Sequence, residues 1–447
     1  MLMHIFHTND IHANVEFLKR VHHYMHKYKS DNDLYLDSGD FCDLRSLIVQ
    51  ADRGDSLMQL FKSCKIDHMA IGNNEIDLGY DSLVNIMKYD MLSCNLSDND
   101  GNDVFRHSVI VEKCHKRFLI MGISPYYNSE LVAGHYNLFF EMGNLKTRDC
   151  IKAINDELDK YDGQYDFSIL LSHSGIICDD HIKKHVKHID LWLGGHSHSE
   201  VAYDNYNQAG MGSKLGVVSL EVDDTIKITG NKLIDLKECD DALFDHLYQE
   251  KEAYADSILS KPLKSLGPLA FDAYHECELI NFICDILLEV MDGDLAIMHH
   301  GIANNALNDV VSRKDLLNTF PSKLNPTSFV LSGKKIREAI MLSFDDDFIR
   351  QSGKGSGFRG YTLGTLGYSA NVRIVGNDIY INNELMDDDK LYKVVSDDYL
   401  QRGTYYHSMK VDDKDACFDP RFIRDVVEEY LDNDKLYALA KIKRVFR

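Results

Sequence analysis

The sequence is poor in positive charge. Its 447 residues include 49 lysines and arginines against 71 aspartates and glutamates, a formal net charge of -22. Such a chain lacks the basic face that tracks a nucleic-acid backbone, which argues against DNA or RNA as a partner. A small phosphorylated ligand stays open, because bound cations supply positive charge locally. No run of about 18 apolar residues occurs, so no membrane span and no membrane partner are expected. There is no Cys-x-x-Cys. The 10 cysteines are scattered singly, which argues against a disulfide framework and for a reducing compartment. The first chemical motif begins at about residue 4 and leaves no room for a leader segment. These absences together predict a cytoplasmic protein. No internal repeat is visible either.

What is present is ordinary for a globular chain: 44% apolar and 27% charged residues. The length suits roughly two to three domains. Apolar positions at Val15, Leu18, Val21, Met25 and Tyr28 are spaced as a helix face. Short apolar runs such as Leu34-Tyr35-Leu36 and Phe167–Leu171 read as buried strands. Helix and strand patterns alternate to about residue 200, the α/β signature. From about 201 to 236 the texture shifts to short β segments. Residues from about 240 to 260 read as one exposed helix, ended by Lys261-Pro262. A second α/β unit follows, with an amphipathic helix over 276–291 that puts Cys277 and Cys284 in a core, and a strand at Leu295–Met298. The expected division is residues 1–236, a connector at 237–262, and residues 263–447. The glycine-rich stretch 351–368 lacks a following Gly-Lys-Ser/Thr, so it reads as a binding loop or hairpin rather than a phosphate loop. The basic tail Lys441–Arg447 reads as a solvated last strand or helix end.

Five strand ends carry the chemistry. Met3–Phe6 runs into His7-Thr8-Asn9-Asp10-Ile11-His12. Later strands end in Asp37-Ser38-Gly39-Asp40, Gly72-Asn73-Asn74-Glu75, Ser172-His173-Ser174-Gly175 and Gly194-Gly195-His196-Ser197-His198. One Asp-x-His pair means little in a chain with 21 histidines. Five strand ends of one design mean more, because ligands of an α/β fold gather beyond the carboxyl ends of its strands. Asp10, His12, Asp40, Asn73, His173, His196 and His198 can then converge. Carboxylates, imidazoles and an amide carbonyl suit divalent Mn, Zn, Fe or Co. Two such ions form a clamp for displacement at phosphorus, which needs a bridging carboxylate, for which Asp40 fits, and an open position for water.

These motifs, in this order and spacing, resemble the calcineurin-like metallophosphoesterases, and most closely their 5'-nucleotidase / UDP-sugar hydrolase branch. The resemblance implies a sandwich of two β-sheets flanked by helices over about the first 220 residues, followed by a 5'-nucleotidase-type α/β domain. It implies Asp10, His12 and His198 on one metal, Asn73, His173 and His196 on the other, and Asp40 bridging. In the second half, Asn318-Thr319-Phe320-Pro321 with Asn325, then Val330-Leu331-Ser332-Gly333-Lys334, resembles the family's Phe-Pro-x-x-Asn … Leu-Thr-Gly stretch. Val394–Leu400 resembles its Thr-Asn-Asp-Phe-Leu stretch. The resemblance implies that Tyr399 stacks one face of a nucleobase and Tyr361, backed by Phe358, the other.

The departures fall on the substrate side. The family's Gly-Asn-His-Glu histidine, which helps the leaving group, is Asn74 here. Asn74 and the nearby Asp77 are the candidate catalytic residues, with His300 as a possible substitute acid. The family's phosphate-binding Gly-Gly-Ile-Arg appears as His300-Gly301-Ile302-Ala303, without its arginine. Its Gly-Gly-Asp-Gly appears as Gly403-Thr404-Tyr405-Tyr406, without its aspartate. Arg359 and Arg402 are the candidates to replace the lost charge. The expected activity is hydrolysis of a phosphate ester, foremost removal of phosphate from a nucleotide by metal-activated water. The alternatives are a phosphodiesterase or pyrophosphatase of cyclic-nucleotide or UDP-sugar type, and a nucleotide sensor that keeps metals without chemistry.

Overall fold

The structure is a computed structural model that describes residues 1–126, 135–353 and 362–447. The chain divides into two compact units, Met1–Ala255 and Asp256–Arg447.

Among its described residues the first unit contains fourteen strands: β1 (Leu2–Thr8), β2 (Leu34–Asp37), β3 (His68–Ala70), β4 (Met91–Leu92), β5 (Leu96–Asp98), β6 (Ser108–Lys113), β7 (Lys116–Ile123), β8 (Leu145–Thr147), β9 (Phe167–Ser172), β10 (Leu191–Gly194), β11 (Glu200–Tyr203), β12 (Tyr206–Ala209), β13 (Leu215–Val222) and β14 (Ile226–Ile234). They build two six-stranded sheets, ordered β14-β13-β1-β2-β3-β4 and β11-β12-β10-β9-β7-β6, with β5 and β8 as a separate pair. The inner strands β1, β2, β3 and β4 run parallel, as do β7, β9, β10 and β12. Side chains alternate across a strand, and the cores follow that period. Ile5, Leu34 and Leu36 of one sheet meet Phe118, Ile120, Ile169 and Leu193 of the other in one buried cluster. On the far face of the second sheet, Leu119, Met121, Leu170 and Trp192 pack with Ile154 and Leu158 of the helix Cys150–Lys160. The unit is a sheet-on-sheet sandwich with helices outside.

The helix Val15–Tyr28 forms where the apolar spacing places it, capped by the Asn14 side chain accepting from the Phe17 amide. Its buried face is set by Phe17, Leu18, Val21, His22 and Met25, whereas Tyr28 is exposed. The helix Ala242–Leu259 carries both exposed residues and a fully buried Phe244.

The second unit holds β15 (Leu295–His299), β16 (Pro326–Ser332), β17 (Leu366–Tyr368), β18 (Val372–Val375), β19 (Asp378–Ile381), β20 (Glu384–Leu385), β21 (Leu391–Asp397), β22 (Ala416–Phe418) and β23 (Val445–Phe446). The main sheet has the order β17-β15-β21-β16-β22, the smaller one β20-β19-β18-β23. Alternation again assigns the faces: Ala296, Met298 and Val395 pack under the helix Glu278–Val290, while Leu295, Ile297 and Val394 face a second cluster with Ile336 and Ile340. Cys277 and Cys284 are buried. The basic tail ends in a strand, as the sequence reading has it, and departs from that reading at Arg444. Val445–Phe446 pairs in parallel with β18, and Arg444 is only 1% exposed, ion-paired to Asp285 at 2.5 Å. Its aliphatic stem and charge are both used by the core, so only part of the tail is solvated. Among the described residues no helix is long and apolar enough to cross a membrane.

Candidate metal centre

The candidate ligands sit in the turns that leave β1, β2, β9 and β10, and in the turn after β3. Backbone bonds stitch the first two turns together: Asp10 N–H donates to Gly39 O at 2.9 Å and His12 N–H to Asp40 O at 3.0 Å. Such turns need unusual backbone angles. Asp10, His12, Asp40, His196 and His198 all have positive φ, between 48° and 70°. A non-glycine residue held there carries strain of order 1–3 kcal/mol, and such residues cluster at functional sites. Close approach also requires glycine. A Cβ on Gly72 would lie 2.3 Å from Asp40 Oδ1, and one on Gly195 would lie 2.9 Å from His173 Nδ1.

Two groups of potential ligand atoms result: Asp10, His12 and His198, and Asp40, His173 and His196. In the first, His12 Nε2 and His198 Nε2 face each other at 3.2 Å, and His198 Nε2 is 3.4 Å from Asp10 Oδ1. In the second, His173 Nε2 is 3.2 Å from Asp40 Oδ1, and His196 Nδ1 is 3.0 Å from Asn73 Oδ1. Asp40 turns one oxygen to each group, since its Oδ2 is 3.8 Å from His12 Nε2. The two groups differ in exposure: His173 is fully buried, while the His198 side chain is 43% exposed.

This donor set fits divalent cations. His173 donates from Nδ1 to the Ser38 carbonyl at 2.6 Å, which leaves Nε2 as the ligand atom. That Nε2 is buried without an aligned hydrogen-bond partner, although Asp40 is near. Burial opposes a charge on His173, yet the Asp40 carboxylate holds its pKa well above the imidazole range. Burial likewise opposes charge on Asp40, and His173 nonetheless keeps it ionised. The cluster thus demands positive charge, which a cation supplies as well as a proton. His196 goes the other way: burial, then the neighbouring His173 charge, depress it to about 4, leaving a neutral imidazole suited to a metal.

Several supporting residues were not singled out as site residues from sequence, though each lies inside or beside a motif. Glu75 is fully buried and accepts from the backbone N–H of Asp40, Cys42 and Gly72 at 2.9, 2.7 and 2.8 Å. Asn9 donates to Asp10 Oδ2 at 2.6 Å. Asp43 faces His12 Nδ1 from 3.6 Å.

The candidate catalytic and substrate residues fall differently. Asn74 is tied to Asp40, through its backbone N–H at 2.8 Å and its side-chain amide at 2.6 Å. Asp77 closes the short turn Asn73–Ile76, its N–H donating to Asn73 O at 2.9 Å. Tyr399 is half-buried and packs against both cores of the second unit. Arg402 is ion-paired with Asp398. Phe358, Arg359 and Tyr361 lie outside the described residues. His300, the candidate substitute acid, is fully buried, its Nδ1 donates to Asp272 O at 2.6 Å, and burial lowers its pKa to about 4. It is a neutral imidazole at neutral pH, with its Nδ1 hydrogen committed to the Asp272 carbonyl.

Comparison with known proteins agrees with this geometry. Residues 3–200 match the calcineurin-like phosphoesterase family, and residues 264–409 match the 5'-nucleotidase C-terminal domain. In sequence, the chain is 26% identical over 460 residues to the uncharacterized metallophosphoesterase YunD of Bacillus subtilis, covering 95% of this chain and 97% of that one. It is 23% identical to a snake venom 5'-nucleotidase of Naja atra, covering 79% of each. In structure, it resembles a putative 5'-nucleotidase from Staphylococcus aureus, with a TM-score of 0.65 at 16% identity over 100% of this chain and 99% of that one. The NAD nucleotidase of Haemophilus influenzae shares the fold with a TM-score of 0.64 at 14% identity, over 100% and 97%. Family matches over both units, over a sandwich whose strand ends hold two groups of metal-type ligands, make the chain a member of the calcineurin-like phosphoesterases with a 5'-nucleotidase C-terminal domain, and hence a metallophosphoesterase that hydrolyses phosphate esters.

Proposed function

We propose that the chain removes phosphate from nucleotides in the manner of a 5'-nucleotidase. Asp10, His12 and His198 would hold one cation, Asn73, His173 and His196 a second, and Asp40 both; Mn, Zn, Fe and Co suit this set alike. The observation that carries the reading is the inward facing of ring nitrogens and carboxylates, with His12 Nε2 and His198 Nε2 3.2 Å apart and His173 Nε2 3.2 Å from Asp40. Cations there would supply Lewis acidity toward phosphoryl oxygens and lower the pKa of water toward roughly 7. The chain's own residues orient the set: Ser38 sets the tautomer of His173, Glu75 anchors the Asp40 turn, and Asn74 holds both Asp40 oxygens. Asp77 would position Asn74 from the end of its turn. Tyr399, with Tyr361 and Phe358, would stack the base, and Arg359 and Arg402 would balance phosphate charge. The relatives named 5'-nucleotidase support this substrate class.

Asn74 favours a second reading beside the first. An amide can donate an N–H to a developing oxyanion but cannot release a proton to a leaving group. That handicap is smallest for phosphoanhydride linkages, as in nucleotide sugars and dinucleotides. The test is hydrolysis of nucleoside monophosphates, an aryl phosphate, a nucleotide sugar and a dinucleotide with each metal in turn, read as inorganic phosphate from the first two and as the pair of phosphomonoesters from the last two. Turnover that needs metal and stops with chelator is expected. Tight nucleotide binding without turnover under every metal would replace the enzyme with a sensor.

A further inference from the structure

We propose that Asp43 is a positioning residue for the more exposed cation, acting through His12; the inference rests on the dinuclear reading above. Each ligating imidazole has a second nitrogen, and what that nitrogen meets sets the tautomer and basicity of the ligand. For His173 the partner is a backbone carbonyl, Ser38 O, at 2.6 Å. For His12 it is a side chain. Nδ1 of His12 is buried and lacks an aligned hydrogen-bond partner, and the oxygen it faces is Asp43 Oδ2 at 3.6 Å. That separation is too long for a hydrogen bond. For this contact to form, the ring must turn toward Asp43 when the site fills, as hydrogen bonds that are long in an empty site often tighten on binding.

Asp43 is built to stay where it is. It is 3% exposed, and a buried carboxylate needs a partner. Arg45 supplies one: its backbone N–H donates to Oδ1 at 2.8 Å and its Nε reaches Oδ1 and Oδ2 at 2.9 and 2.8 Å, with Nη2 also on Oδ2. The result is a line from Arg45 through Asp43 to His12 and the ligand group of Asp10 and His198. The backing falls on the group that needs it. His173 is immobilised by complete burial, whereas the Asp10–His12–His198 group has an imidazole that is 43% exposed and held by less packing. A carboxylate behind His12 fixes its tautomer and raises its basicity, and loss of such a partner typically weakens metal binding about 10- to 100-fold.

The experiment is titration of chelator-stripped full-length protein with Mn(II), followed by calorimetry and by the electron paramagnetic resonance of coupled against isolated ions. Wild type should take up two ions. Asp43→Asn should weaken one of them about 10- to 100-fold, leave the other within about twofold, and replace the coupled signal by an isolated one at one equivalent. Arg45→Gln, which leaves the carboxylate in place, should weaken the same ion several-fold and serves if Asp43→Asn does not fold. Unchanged affinities for both ions, or an equal loss of both, overturn the inference. A wild-type protein that takes up fewer than two ions overturns the dinuclear reading itself, a result visible before any variant is made.

Discussion

Histidines stand at comparable strand ends in the two units and arrive at opposite charge states. His173 follows β9, fully buried, and its pKa is held far above the usual range because Asp40 lies 3.2 Å away. His299 ends β15, also fully buried, and burial drives it down to about 3; His300 beside it falls to about 4. A carboxylate is present there too, since Asp397 Oδ2 is 3.6 Å from His299. Asp397, however, is itself raised to about 6 by burial, and its Oδ1 accepts the backbone N–H of Tyr399 and Leu400. Asp40 is kept ionised by a facing imidazole and two bonds from Asn74. The difference is therefore not the presence of His and Asp but what else each carboxylate is bonded to. One arrangement attracts a cation. The other fills a core.

The sharpest way to break this comparison is to remove the carboxylate. Asp40→Asn should lower metal content in both positions and reduce phosphate release by on the order of 10²- to 10³-fold. His300→Gln should leave metal content unchanged. Metal analysis of both purified variants checks the pair, and full occupancy in Asp40→Asn would undo the assignment of Asp40 as the shared ligand.

Asn74→His comes next. General acid help is typically worth about 100- to 10,000-fold, and a histidine here would restore part of it for alkyl phosphates and little for aryl phosphates. The measurement is the slope of log rate against leaving-group pKa. It should be steep in wild type and flatter in the variant; two shallow, parallel slopes would show that Asn74 is not the missing acid.

A smaller effect is expected at Tyr399. Stacking on an aromatic is worth about 1–3 kcal/mol per base, roughly 5- to 150-fold in binding. Tyr399→Leu keeps apolar bulk against the two cores and removes the ring. KM for a nucleotide should rise, with turnover of a baseless aryl phosphate unchanged. Equal effects on both substrates would remove Tyr399 from base binding.

The smallest effect concerns pH. Asp397 has a folded pKa of about 6, above the unfolded value of about 3.9. Between these values the folded state holds a proton that the unfolded state has released. Stability from this group is therefore lost as pH rises from about 4 to about 6, and is constant above. Asp397→Asn, which keeps an acceptor for the Tyr399 and Leu400 amides, should flatten that part of the thermal-midpoint profile by on the order of 1–3 kcal/mol. Parallel profiles for the two proteins would mean that Asp397 titrates normally.

The α/β character, the strand ends and the candidate ligand residues that come together in both groups were legible in the sequence, because each depends on a short run. Met3–Phe6 alternates as a buried strand, and Asp10 and His12 follow it within a few positions, so local chemistry and position are read together. The same holds for His173 and for His196 with His198. What could not be read is which side chain answers which. Glu75 holds the amide of Asp40 across 35 positions, Ser38 sets the tautomer of His173 across 135, and Arg444 is drawn into a core by Asp285 across 159. The charge state of a histidine belongs to the same class: His173 and His300 are one residue type at similar strand ends, and only their three-dimensional neighbours separate a candidate ligand from a core residue. Backbone pattern is a property of neighbours in sequence, while burial and pairing are properties of neighbours in space, and in this protein the second kind decides what the first kind puts in place.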